Sequence, residues 1–233
     1  MSIYAIGDLH LSFDPAIEKP MDVFGPEWEN HAERLRENWI RKIGDEDTVL
    51  LCGDISWGLR LAESMADLRW IDALPGQKII SKGNHDLWWK SIQKMNGLFP
   101  TIRFLQNTAC LAENCAIAGT RGWISPGTEG FDDHDEKIYR RELLRLRMSL
   151  EEAVKLKAEA ILCSLHYPPS NDKLQRSGFM DMLAEYGVSC CVYGHLHGEK
   201  AFRKGFQGSM DGVSYRLVSL DYIDAEPVKI WGA

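Results

Sequence analysis

The stretch Ile3-Tyr4-Ala5-Ile6-Gly7-Asp8-Leu9-His10 decides how this chain is read: a short apolar run, of strand length, enters a glycine, an aspartate and a histidine. The arrangement returns at Thr48-Val49-Leu50-Leu51-Cys52-Gly53-Asp54, and again where Lys78-Ile79-Ile80-Ser81 enters Lys82-Gly83-Asn84-His85-Asp86. Between the first two runs, Trp28, Ala32, Leu35, Trp39, Ile40 and Ile43 fall at helical spacing. Between the second and third, Leu61, Met65, Leu68, Ile71 and Leu74 do the same until Pro75-Gly76 stops them. Successive βα units whose strands all end in polar residues predict an α/β fold with those residues gathered along one sheet edge.

Two further apolar runs end alike. Ala160 to Leu165 leads into His166, and Ser189 to Tyr193 leads into Gly194-His195-Leu196-His197, with Phe179, Met182, Leu183 and Tyr186 as a helix face between them. Ile102 to Leu105, Ala109 to Leu111 and Ala116 to Ala118, separated by polar turn residues, read as an antiparallel meander. A charged helix is expected over Glu136 to Lys157, where Ser149-x-x-Glu152 is a capping-box pattern that offers a break. Val213 to Leu220 and Val228 to Trp231 read as strands, and no helix is expected after His197.

At 233 residues with 45% hydrophobic and 26% charged side chains, the chain has the balance of a globular protein, and a single domain over 1–233 is expected. No apolar run reaches membrane-spanning length, and the N-terminus has neither the basic nor the apolar region of a secretion signal. Cys52, Cys163, Cys190 and Cys191 sit in apolar runs, the positions of buried thiols rather than of a disulfide framework. A cytoplasmic location is therefore expected. The formal charge of −7 argues against a broad grip on nucleic-acid backbone and for a small or locally recognised substrate.

Of seven histidines, His10, His85, His166, His195 and His197 directly follow expected strands. One such histidine would be read as a strand cap, and one Gly-Asp as a turn. Five motifs at one topological position instead describe a site, and imidazole with carboxylate but without thiolate suits zinc, manganese or iron. Asp8-x-His10 and His195-x-His197 present their two side chains to one side if the backbone is extended there.

With Asp8-Leu9-His10, Gly53-Asp54, Gly83-Asn84-His85-Asp86, His166 and Gly194-His195-Leu196-His197 in this order, the sequence resembles the calcineurin-like metallophosphoesterase superfamily from residue 8 to 197. The resemblance implies a four-layer α-β-β-α sandwich, two mixed β-sheets flanked by helices, with a dinuclear metal site at the carboxyl ends of strands. It assigns Asp8, His10 and His197 to one divalent cation, Asn84, His166 and His195 to the other, and Asp54 to both. His85 is implied as the proton donor to the leaving alkoxide. The implied activity is phosphate mono- or diester hydrolysis, with water activated between manganese, iron or zinc ions attacking phosphorus in line.

The chain departs from the protein phosphatase branch, since Ile55-Ser56-Trp57-Gly58 follows Gly53-Asp54 where that branch carries a second aspartate and an arginine. The usual partner orienting His85 is thus missing, with Asp86 the adjacent acid. Gly83-Asn84-His85 also differs from the Gly-Asn-Arg of lipid-precursor pyrophosphatases, while the nuclease branch, which shares Gly-Asn-His-Asp, adds a DNA-capping region that this chain lacks. Arg121 is a candidate phosphate contact and Trp57 a candidate substrate wall, with Arg60, Trp88, Trp89 and Trp123 behind them. His134, within Asp132-Asp133-His134-Asp135, reads as a solvated residue at a helix start. The rival to an enzyme is a noncatalytic, metal-bearing scaffold of the same fold that binds a partner, and nucleic acid or phosphoprotein are the alternative substrates.

Overall fold

The structure is a computed structural model, and it describes residues 1–232. Strands β1 (Ile3–Ile6), β2 (Thr48–Leu51), β3 (Gln77–Ser81) and β4 (Ile102–Leu105) lie parallel and in sequence order, with β11 (Val228–Trp231) antiparallel outside β1. The second sheet runs β5 (Cys110–Ala112), β6 (Cys115–Thr120), β7 (Ala160–Leu165), β8 (Val188–Tyr193), β10 (Val213–Leu217) and β9 (Gly208–Met210). Its inner four strands are parallel and its two edges antiparallel, so both sheets are mixed.

Strict alternation of side chains builds three apolar layers from these strands. Ile3, Ala5, Leu50 and Ile79 of the first sheet meet Ile117, Leu162, Cys190 and Val192 of the second. The opposite face of the first sheet, Ile6, Val49, Leu51 and Ile80, packs on Leu35 and Trp39 of α1 (His31–Lys42) and on Leu68 and Ile71 of α2 (Leu61–Asp72). The outer face of the second sheet, with Ala118, Cys163, Leu165 and Cys191, packs on α4 (Asp133–Lys155) and α5 (Gly178–Glu185). Fully burying one such aliphatic side chain contributes about 1.5–3 kcal/mol, so sandwiching both faces of both sheets is the main source of stability. The four-layer architecture implied by the sequence is the one observed.

Several local expectations need correction. Residues 102–118 form no meander: β4 joins β3 in the first sheet, and only β5 and β6 make a hairpin, in the second. Alternation within each run is the same in either arrangement, so it does not report which sheet a strand joins. The Ser149 pattern marks no break, because Ser149 is buried inside a continuous helix, where its hydroxyl donates to Thr108 O and accepts from Gly119 N–H. Ile40 lies on the exposed side of α1. Short helical turns α3 (Ile92–Met95) and α6 (Gly198–Phe202) were not expected from the sequence. Among the described residues no helix is long and apolar enough to cross a membrane.

Candidate metal centre

The loops after β1 and β2 are zipped together by backbone hydrogen bonds: Asp8 N–H to Gly53 O, His10 N–H to Asp54 O, Leu11 N–H to Ile55 O and Trp57 N–H to Leu11 O, all 2.9–3.0 Å. Gly7 N–H donates to Val218 O and Leu220 N–H to Gly7 O, which ties this edge to the second sheet. His166 and Tyr167 both donate their N–H to Arg121 O, and Gly194 N–H donates to His166 O. Segments far apart in sequence are thereby fixed within one polar basin.

The backbone there is not extended. Asp8 (φ 59°), His10 (φ 46°), Asp54 (φ 52°) and His195 (φ 73°) all occupy the left-handed region, which costs L residues energy and concentrates at functional sites. The same-side argument for Asp8-x-His10 therefore does not apply; tight turns, not strand alternation, aim these side chains. Two glycines make room for them. A β-carbon on Gly194 would overlap the Asp8 carboxylate, and one on Gly83 would overlap Asp54.

Ligand atoms of Asp8, His10 and His197 lie within 4.8 Å of one another, as do those of Asp8, Asp54 and His166. Asn84 and His195 join them: Asn84 Oδ1 is 2.6 Å from His166 Nε2 and 2.9 Å from His195 Nδ1. Asp54 Oδ2 stands between the groups, 3.4 Å from His166 Nε2 and 3.9 Å from His10 Nε2. His85 sits at the exposed rim, with its N–H donating to Asp54 Oδ1 at 2.8 Å.

Protonation logic makes these contacts informative. His166 Nδ1 lies 2.9 Å from Cys52 O, a carbonyl that only accepts, so Nδ1 carries the ring hydrogen and Nε2 is a bare lone pair. Burial holds His166 down to about 3 and His195 to about 2, so both stay neutral, the ligating form. A bare Nε2 then faces the oxygens of Asn84 and Asp54 with no hydrogen to share. His197 shares the contact but not the shift: Nδ1 lies 3.0 Å from Asp221 Oδ1 and Nε2 3.4 Å from His10 Nε2, and although burial pulls its pKa down, the Asp221 hydrogen bond and the Asp8 charge hold it above the usual imidazole value. Burial, and next the neighbouring Asp54 charge after the opposing pull of His197, push Asp8 up to about 8. A bare His166 Nε2 facing two oxygens, beside a second carboxylate whose buried charge is otherwise poorly compensated, fits a bound cation.

Several supporting residues had escaped the sequence reading. Asp221 accepts from Gly198 N–H at 3.0 Å while holding His197, the carboxylate–histidine arrangement that fixes a ligand's tautomer. Asp221→Asn is expected to weaken manganese or zinc binding about 10- to 100-fold in a calorimetric titration; unchanged affinity would remove Asp221 from this role. His31 places its ring nitrogens 3.1 Å from Leu9 O and 3.2 Å from Trp28 O, which ties α1 to the Asp8–His10 turn.

Asp86 does not orient His85. Its fully buried carboxylate accepts N–H from Gly83 (2.7 Å), Ile55 (2.9 Å) and Asp54 (3.0 Å), and from the Trp88 indole (3.0 Å), locking two ligand-bearing loops together. Asp86→Ala would leave all four donors buried and unpaired, and a loss of roughly 3–5 kcal/mol is expected from denaturant unfolding. An unshifted unfolding midpoint would contradict this.

The aromatic candidates divide. Trp57 stacks on His10 (ring centroids 4.6 Å, interplanar 21°) and touches His85 at 4.6 Å. Trp88 and Trp89 are core residues against Phe104. Trp123 lies against Tyr167 at 5.0 Å, and its indole donates to Asp135. The Arg121 guanidinium lies 4.5 Å over Trp123 and 3.7 Å from Glu142, with its buried Nε unpartnered; it does not line the cavity beside His85. His134 lies in the first turn of α4, with its N–H capped by Asp132.

Residues 1–199 match the family described as calcineurin-like phosphoesterase. The Gene 66 protein of Mycobacterium phage D29 is 36% identical over 85 residues, covering 36% of this chain and 40% of the phage protein. That of phage L5 is 35% identical over 79 residues, covering 34% and 37%. The chain thus aligns with only about two fifths of these relatives' length. Two solved structures share the fold: the protein of unknown function AQ665 from Aquifex aeolicus (TM-score 0.53, 17% identity, covering 98% of this chain and 95% of the other) and TT1561 of Thermus thermophilus (TM-score 0.55, 13% identity, covering 84% and 82%). The ordered motifs, the two-sheet sandwich and the family match agree: the chain belongs to the calcineurin-like phosphoesterase family.

Proposed function

We propose that this protein hydrolyses phosphate mono- or diesters of a small phosphorylated molecule in the cytoplasm, with Asp8, His10 and His197 on one divalent cation, Asn84, His166 and His195 on a second, and Asp54 on both. The observation that carries this reading is the bare His166 Nε2 at 2.6 Å from Asn84 Oδ1 and 3.4 Å from Asp54 Oδ2, a lone pair facing two oxygens that a cation would satisfy. Manganese, iron or zinc bound there would acidify a water for in-line attack and draw charge from the phosphoryl oxygens.

The chain's own groups supply the rest. Asp8 and Asp54 bring two negative charges to a pair of dications, which leaves roughly +2 to hold a phosphoryl group. The His85 ring has no hydrogen-bond partner among the described residues and faces the cavity, free to pass a proton to the departing oxygen. Trp57 forms the wall beside that oxygen. Arg121 would have to leave its contacts with Trp123 and Glu142 to reach a retained phosphoryl oxygen, and it is the chain's candidate for that role.

Retention of every candidate ligand together with His85 favours an enzyme over a partner-binding scaffold. Protein stripped of metal and reloaded with manganese, iron or zinc is expected to release nitrophenol from mono- or bis-nitrophenyl phosphate, and the stripped protein is not. No turnover with any of the three metals would overturn the proposal in favour of the scaffold.

A further inference from the structure

Resting on the hydrolase reading above, we propose that the cavity beside His85 is a leaving-group subsite for an alcohol that carries an aromatic ring and N–H or O–H donors, the chemistry of a nucleoside. The cavity, about 510 Å³, has His10, Asp54, His195 and His197 of the metal centre on its inner side and Met21, Phe24, Glu27, Trp28 and Trp57 as its outer wall, so the outer part is the space left for the departing group. His85 lies against Trp57, ring centroids 4.6 Å apart, so whatever oxygen His85 protonates belongs to the group lodged here. The subsite therefore reads the departing alcohol, not the retained phosphate.

Two walls are fixed and one is open. Trp57 is held by its stack on His10 and by its indole N–H, 3.2 Å from Met21 Sδ. Trp28 is buried edge-on to His10 and His197, at 5.7 and 5.4 Å. Phe24, on the single turn Met21–Phe24, is 65% exposed and makes no ring contact with another aromatic among the described residues. An exposed phenyl at the mouth of an aromatic cavity offers a flat ligand a second face.

Glu27 narrows the class further. Its carboxylate folds back over Gly25, where a β-carbon would meet both oxygens at 2.6 Å, and it has no side-chain partner among the described residues. A plain alkyl chain would leave that acceptor unpaired against apolar surface, and an anionic tail would meet its charge. A base or sugar with N–H or O–H groups satisfies both the rings and the acid.

The test compares two esters of primary alcohols of similar leaving ability on the full, manganese-loaded chain: a nucleoside 5′-monophosphate and glycerol 3-phosphate. The nucleotide is expected to have at least about tenfold higher kcat/KM, carried by KM. Phe24→Ala, at an exposed position that does not threaten folding, is expected to collapse that ratio severalfold, and Trp57→Phe, which keeps a ring, to reduce it less. Equal kcat/KM for both esters, a preference for glycerol phosphate, or an equal loss on both esters in Phe24→Ala would overturn the subsite. If nitrophenyl esters are still hydrolysed in those cases, the function stands and only the subsite fails. No hydrolysis of any ester would overturn both.

Discussion

Asp54→Asn is expected to lose metal and activity together, with kcat/KM on bis-nitrophenyl phosphate falling about 10³-fold or more, since electrostatic stabilisation by the cations is the main catalytic contribution. Asp54 Oδ2 stands within 3.4 Å of His166 Nε2 and 3.9 Å of His10 Nε2, so one carboxylate serves both halves of the centre. An amide keeps the shape but brings no charge, which raises the repulsion between two dications. The same residue accepts His85 N–H through Oδ1, and an asparagine oxygen preserves that bond, so the variant is expected to fold. Metal analysis and kinetics on the same preparation check this. Two cations bound at wild-type affinity would remove Asp54 from its bridging place.

His85→Ala is expected to do the opposite with metal and nearly the same with rate. The His85 side chain is at the exposed rim and shares no ring hydrogen bond with the ligands, so both cations should remain. As a general acid it contributes about 10²- to 10⁴-fold, and kcat for an alkyl phosphate ester is expected to fall by that factor. Nitrophenolate leaves with little proton assistance, so nitrophenyl esters should lose far less. Equal losses on both esters with metal retained would make His85 a phosphate-positioning group, and loss of metal would make it structural.

The strands Ile3–Ile6, Ala160–Leu165 and Val228–Trp231 were legible to the residue because each is a short, mainly apolar run between polar, proline or glycine boundaries. The ligand candidates were legible because each follows such a run and so must lie at a strand end. What the sequence hides is conditional on three dimensions. Asp221 stands 24 residues beyond His197 at no characteristic spacing, and only the fold brings it to Nδ1. Adjacency leaves the role of Asp86 towards His85 open, and burial turns it inward to three backbone N–H groups and the Trp88 indole. The same contact draws Trp88 into the core, whereas Trp57, with a similar motif-flanking position, reaches the cavity. The segment 12–27 carries no periodicity, and together with Trp28, which lies on the turn Pro26–Trp28 ahead of α1 and not in the helix its spacing suggests, it supplies most of the cavity's apolar wall.

The central claim is a dinuclear centre built from these seven side chains, and anomalous diffraction from crystals grown with manganese tests it most directly. The account expects two peaks about 3.5 to 4 Å apart, one against Asp8, His10 and His197, the other against Asn84, His166 and His195, with Asp54 touching both. A single peak, or manganese bound only elsewhere on the molecule, would contradict it.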